Sequence, residues 1–169
     1  LVGRPGDIVV LDGVRIVGNI GAIIRTATGL GAAGVVLIDS GLTTVADRRL
    51  LRASRGYVFS LPVVLSTAER LREFLDEHFV DIAVLEADGQ VELSQVAAGP
   101  EPLALVFGSE RAGTSELLRS VFSDHEGDWD RSKETRTVSI PMPGPVESFN
   151  VSVAAAIVLY SRSLHAISN

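Results

Sequence analysis

The sequence predicts an α/β fold, a mostly parallel sheet flanked by helices, on three observations. Short runs rich in Val, Leu and Ile alternate with helix-like stretches from one end to the other. Those runs are short and continuously apolar, as strands are when helices cover both sheet faces. No repeat or low-complexity tract interrupts the alternation, which implies crossovers between parallel strands. Taken in order, "DIVVLDG" is the first strand and "NIGAIIRTATGLG" the first helix. "GVVLIDS", "VADRRLLRASRG" and "LPVVL" follow as strand, helix and strand. "STAERLREFLDEHF" is helical, with Ser66 as N-cap and Glu69 at capping-box spacing. "VDIAVLEA" and "PLALVFG" are strands, "TSELLRSVF" a helix capped by Thr114 or Ser115, and "TVSIPM" a strand. The final helix lies in "ESFNVSVAAAIVLYSRSLHA". One composition shift, Ser123 to Thr137, is charged and nearly devoid of aliphatics, and reads as an exposed insertion.

Composition bounds the function. A chain of 169 residues, 46% hydrophobic and 21% charged, is long enough for one domain with a proper core. No window reaches the roughly 18 apolar residues of a membrane span, and the start "LVGRPGDIVV" has neither a signal-peptide plan nor an initiator Met. The expectation is a partial chain of a cytoplasmic protein. With no cysteine there is neither a disulfide framework nor thiol chemistry, and His78, His125 and His165 form no ligand-spaced pair, so no metal is expected. The net charge of −6 argues against a general nucleic-acid binder.

Four motifs carry candidate chemistry. "GLGAAG", Gly29 to Gly34, matches G-x-G-x-x-G, but a dinucleotide fingerprint follows a strand and opens a helix. Here the order is reversed, so the glycines read as a helix C-cap and turn. In "GNIGAIIRTA", Asn19 sits at an expected N-cap, with Arg25 one to two turns later among aliphatics. A buried arginine there needs an anionic partner, unless it snorkels to a local carboxylate. In "LVFGSERAGTS", a strand ends at Gly108 in a polar loop; Glu110 is placed to bind substrate or position Arg25, or the loop is an ordinary turn. In "ADRRLLRASRG", Arg48, Arg52 and Arg55 share a helix face with Arg49 beside it. Guanidinium forks suit phosphates, whereas a solvated face is the plainer account.

Ligands of open parallel sheets bind outside the carboxyl ends of the strands, which singles out "EADGQ", "GSERAG" and "PMPGPVES". In the last, Pro141, Pro143 and Pro145 stiffen the loop and remove backbone donors. Ser148 and Asn150 follow at the helix mouth, as N-cap or as part of a reactive centre.

In order and spacing, "NIGAIIRTA", "LVFGSERAG" and "VSIPMPGPVESFNVSVAAAI" resemble the SPOUT superfamily of knotted methyltransferases, in its ribose 2′-O-methylating branch. "DSGLTTVADRRLLRASRGYVFSLPVVLS" is most similar to the thiostrepton- and nosiheptide-resistance enzymes, which methylate an adenosine ribose of 23S rRNA in the GTPase-associated centre. The resemblance implies a C-terminal trefoil knot, a homodimer and S-adenosylmethionine as cofactor. It assigns catalytic positions to Asn19, Arg25, Glu110, Ser148 and Asn150. Cofactor contacts would come from Leu85, Glu86 and Ala87, from Phe107 and Gly108, from Ile140 and Met142, and from Ser148, Phe149 and Asn150. Arg48, Arg49, Arg52 and Arg55 would meet ribosomal RNA. The resistance enzymes also carry an amino-terminal RNA-binding domain, which this chain does not contain; residues 1–169 are expected to form the catalytic domain. A sulfonium methyl is already electrophilic, so the difficult task is drawing the proton from the ribose hydroxyl. Arg25 would hold a substrate phosphate and stabilise oxyanion charge, the proton passing to that phosphate or to a strongly perturbed Arg25.

Overall fold

The computed structural model describes residues 4–109, 112–123 and 135–167. Its centre is a seven-stranded sheet of β1 (Ile8–Asp12), β2 (Gly34–Ile38), β3 (Val63–Ser66), β4 (Asp81–Leu85), β5 (Val91–Glu92), β6 (Leu103–Phe107) and β7 (Thr135–Ser139). The spatial order is β3-β2-β1-β6-β4-β7-β5, and every pairing between these strands is parallel. Six helices connect them: α1 (Val17–Gly29), α2 (Arg48–Ala53), α3 (Ala68–Glu77), α4 (Leu93–Ala97), α5 (Glu116–Ser123) and α6 (Val151–Ile167).

The period-two rule of a strand divides the core between the two sheet faces. Val9, Leu11, Val35, Leu37, Leu105 and Phe107 join one cluster with Ile20, Ile23 and Ile24 of α1 and Val151, Ala155 and Val158 of α6. The alternate residues Ile8, Val10, Val36, Ile38, Ala104 and Val106 pack on Leu71 and Leu75 of α3 and on Leu118 and Phe122 of α5. The central strands are therefore apolar at successive positions along most of their length because each face has its own helical layer. Each large aliphatic side chain so buried is worth about 1.5–3 kcal/mol.

Several boundaries differ from the sequence reading. Ser66 pairs with Ile38 as the last residue of β3, so the cap of α3 moves to Thr67, whose hydroxyl accepts from Arg70 N. Glu69 then lies in the first turn, its carboxyl lowered by its own backbone N–H and by the Thr67 hydroxyl. α1 starts at Val17 after Ile16, which offers no side-chain cap, so Asn19 is a residue of the first turn rather than the N-cap. The charged tract read as an insertion begins inside α5 and ends inside β7; its residues 124–134 lie outside the described ones. β5 and α4 were not foreseen. "GLGAAG" does end α1: Leu30 N donates to Thr26 O and Ala32 N to Ala27 O, while Gly31 takes φ +77°.

α6 is anchored by an ion pair invisible in the sequence pattern. Arg162 is buried and donates from Nε and Nη2 to the two carboxylate oxygens of Asp7, at 2.9 and 2.8 Å. Its remaining donors reach the carbonyls of Val96, Gly99 and Glu101. All five guanidinium N–H groups are thereby satisfied. Asp7 also accepts from Leu103 N at 2.9 Å, so one contact ties the chain start, α6 and β6 together.

Candidate active site

The carboxyl ends of β4, β6 and β7 open into a cleft of about 280 Å³. That is near the lower end for small-molecule sites. Leu85, Glu86, Ala87 and Asp88 form one wall, Phe107, Gly108 and Ser109 the second, and Ile140, Met142, Ser148 and Phe149 the third. Val138, Val151, Ala154, Gly113 and Arg119 complete the lining. Nine of the ten positions expected to bind cofactor line this cleft, and Asn150 does not.

The second wall is a closed loop. Ser109 N donates to Gly113 O at 3.0 Å and Gly113 N returns to Ser109 O at 2.8 Å. A Cβ on Gly108 would lie 2.1 Å from the Gly113 carbonyl carbon and 2.2 Å from Thr114 N. Both are backbone atoms and cannot yield. Gly108→Ala is therefore expected to cost about 3 kcal/mol, the upper end for overpacking, and to abolish ligand binding in the cleft. Thermal unfolding and calorimetry together check this. Glu110, assigned a catalytic position, lies outside the described residues. Ser115 caps α5, its hydroxyl accepting from Leu118 N, while the buried Asp12 carboxylate accepts from Ser115 N at 2.6 Å.

The third wall depends on its prolines. Residues 141–149 make no hydrogen bond to any described residue, so Pro141, Pro143 and Pro145 hold the shape in place of a ladder. The N–H groups of Met142, Gly144 and Val146 are thus left for other partners. Asn150 is the N-cap of α6: its Oδ1 accepts from Ser152 N at 2.9 Å and Ser152 Oγ at 2.6 Å. Its Nδ2 donates to Asn19 Oδ1 at 3.4 Å, joining the first and third motifs across 131 residues.

Arg25 is exposed rather than buried, because the core stripe of α1 is Ile20, Ile23, Ile24 and Ala27. It makes no ion pair or hydrogen bond with a described residue. The basic stripe is also rearranged. α2 ends at Ala53, so Arg55 leaves the helix with φ +52°. Arg49 is engaged by Asp47 at 2.9 Å, and this hydrogen bond draws the Asp47 carboxyl down from 3.8 to about 2. The pair therefore adds stability above about pH 4 and loses it as pH falls through 2. Arg48, Arg52 and Arg55 are exposed without a partner among the described residues.

Asp88 and Val138 lie in stretches that the sequence reading singled out, "EADGQ" and "VSIPMPGPVESFNVSVAAAI", but were given no role there. Arg119 was missed, because it reaches the cleft from α5 only through the tertiary fold.

An open parallel α/β sheet with a proline-stiffened cleft at its carboxyl ends defines a class. The chain belongs to the SpoU rRNA Methylase family, whose match spans residues 7–160. Among curated relatives, the 23S rRNA (adenosine(1067)-2′-O)-methyltransferase of Streptomyces azureus is 49% identical over 96% of this chain and 56% of that protein. The enzyme of the same name from Streptomyces laurentii is 51% identical over 94% of this chain and 54% of its own length. The chain thus spans little more than half of these relatives. Among solved structures, the SpoU methyltransferase AviRb of Streptomyces viridochromogenes in complex with AdoMet superposes with a TM-score of 0.81. It is 28% identical, covering 99% of this chain and 63% of that one.

Proposed function

We propose that this chain transfers a methyl group from S-adenosylmethionine to a ribose 2′-hydroxyl of RNA, the substrate being an adenosine of 23S rRNA in the GTPase-associated centre. The observation that carries this reading is the cleft, two of whose three walls are the second and third family motifs, the third motif being joined to the first through Asn150 and Asn19. The two relatives named for an adenosine of 23S rRNA support the nucleotide and, with it, a role in thiopeptide resistance. A tRNA or another rRNA ribose is the second reading, favoured by a 34% identical relative named for tRNA or rRNA.

The cleft fits such a cofactor. Apolar Leu85, Phe107, Ile140 and Met142 suit an adenine, and the free N–H groups of the proline loop suit its edge. When bound, the cofactor supplies a methyl group made electrophilic by its sulfonium. The protein must then orient the ribose and manage charge on its oxygen. A guanidinium stays charged in proteins, so Arg25 acts as a fixed cation, holding a substrate phosphate that receives the hydroxyl proton. Among the described residues its side chain has no partner, which leaves the fork for that phosphate. Asn19 and Asn150, joined by their side chains, position the ribose. Transfer of labelled methyl from S-adenosylmethionine to rRNA tests the reading; cofactor binding without any transfer refutes it.

RNA binding is assigned to Arg48, Arg52 and Arg55, with Arg49 left to Asp47. Alanine at all three is expected to lower the slope of log affinity against log salt by roughly 2.7, about 0.9 per phosphate contact. A salt titration of rRNA-fragment binding checks this; an unchanged slope contradicts it. The homodimer belongs to the same proposal. Val153, Tyr160 and Leu164 leave an exposed apolar stripe on α6, opposite the buried Ala155, Val158 and Arg162. The trefoil knot and a cytoplasmic location complete the proposal. No helix among the described residues is long and apolar enough to cross a membrane.

A further inference from the structure

Charge on the cleft wall has a pattern that the methyl-transfer reading leaves unused. Arg119, from α5, brings Nη2 within 2.6 Å of Glu86 Oε1, and its Nε donates to the Thr114 carbonyl at 3.2 Å. These contacts fix the guanidinium plane at the cleft wall while Nη1 keeps both of its N–H groups for a ligand. Glu86 and Asp88 line the same side, so the described lining carries two carboxylates and one guanidinium. The lining therefore has one negative charge in excess. S-adenosylmethionine carries a sulfonium, an ammonium and a carboxylate, and so one positive charge in excess.

Resting on the cofactor reading above, we infer that Arg119 is the anchor for the α-carboxylate of the cofactor's amino-acid end, with Glu86 and Asp88 facing its ammonium. Arg119 is half-exposed and Glu86 nearly buried, at 54% and 17%, so the guanidinium, held by Glu86 and Thr114, stays open to a second carboxylate while Glu86 remains in the wall. Charge-assisted, forked contacts of this kind are stronger than neutral ones. Loss of the sulfonium charge on transfer also removes part of the attraction to the carboxylates, which favours release of the demethylated product.

Calorimetry with S-adenosylhomocysteine and 5′-methylthioadenosine, which lacks the amino-acid end, tests the assignment on the chain as it stands. Arg119→Leu is expected to weaken S-adenosylhomocysteine about 10-fold, while methylthioadenosine changes less than about twofold. Arg119→Lys, which keeps the charge but not the fork, is expected to fall between wild type and the leucine variant. Equal loss for both ligands, or no loss for S-adenosylhomocysteine, overturns the assignment. If the wild-type chain binds neither ligand, the cofactor reading falls and the assignment with it.

Discussion

Arg25→Ala is expected to slow methyl transfer roughly 100- to 1,000-fold, the range for deleting one preorganised group that stabilises developing charge. Cofactor affinity should survive, because Arg25 is not among the residues of the cleft wall. Folding should survive too, because Arg25 is exposed, sits outside the packed stripe of α1 and pairs with no described residue. These two expectations separate a catalytic arginine from a structural one. A structural arginine would lower the melting temperature along with turnover. Arg25→Lys sharpens the point: it keeps the charge and loses the planar fork, so it should recover only part of the rate. Single-turnover methylation, measured beside calorimetry and thermal unfolding, checks all three. Transfer by Arg25→Ala at the wild-type rate would remove the assignment.

The second large effect concerns folding. Asp7→Ala or Arg162→Ala is expected to cost about 3–5 kcal/mol, because each leaves the other charge buried without its partner. Arg162→Ala is the graver loss, since the carbonyls of Val96, Gly99 and Glu101 are deprived of their donor as well. Arg162→Met with Asp7→Leu should recover only part of the stability: it removes the unpaired charge, but the carbonyls of Val96, Gly99 and Glu101 and the Leu103 N–H stay without these partners. Denaturant midpoints at constant slope check the sequence of effects. If the single variants unfold within about 1 kcal/mol of wild type, the pair is not the anchor that its geometry implies.

What could be read from the sequence was local. β1, β2, β3, β4 and β6 announce themselves by their apolar runs, and the carboxyl-end rule pointed to the three loops that wall the cleft. β5 pairs only with β7 and has two residues, while α4 has five, too short for any periodicity to register. The cap of α1 was misplaced because Asn19 has the right side chain, whereas Ile16 caps by backbone geometry alone. Arg25 was expected among aliphatics in a buried site, yet Ile20, Ile23, Ile24 and Ala27 follow i, i+3, i+4, i+7 and leave position 25 outside the stripe. That signal was available in the spacing. Arg162 offered none: in "SRS" it resembles a surface cation, and its carboxylate partner lies 155 residues away. The same holds for Arg119 and for the contact between Asn19 and Asn150, which only the folded sheet brings about.

The central claim is methylation of a ribose 2′-oxygen, and one measurement addresses it directly. A 23S rRNA fragment spanning the GTPase-associated centre is incubated with the protein and S-adenosylmethionine, then digested and mapped by mass. The prediction is a single added methyl on one adenosine, with the following phosphodiester resistant to alkali because its 2′-oxygen is blocked. A methyl group on a base, leaving that linkage alkali-sensitive, would contradict the account, as would unmodified RNA in the presence of bound cofactor.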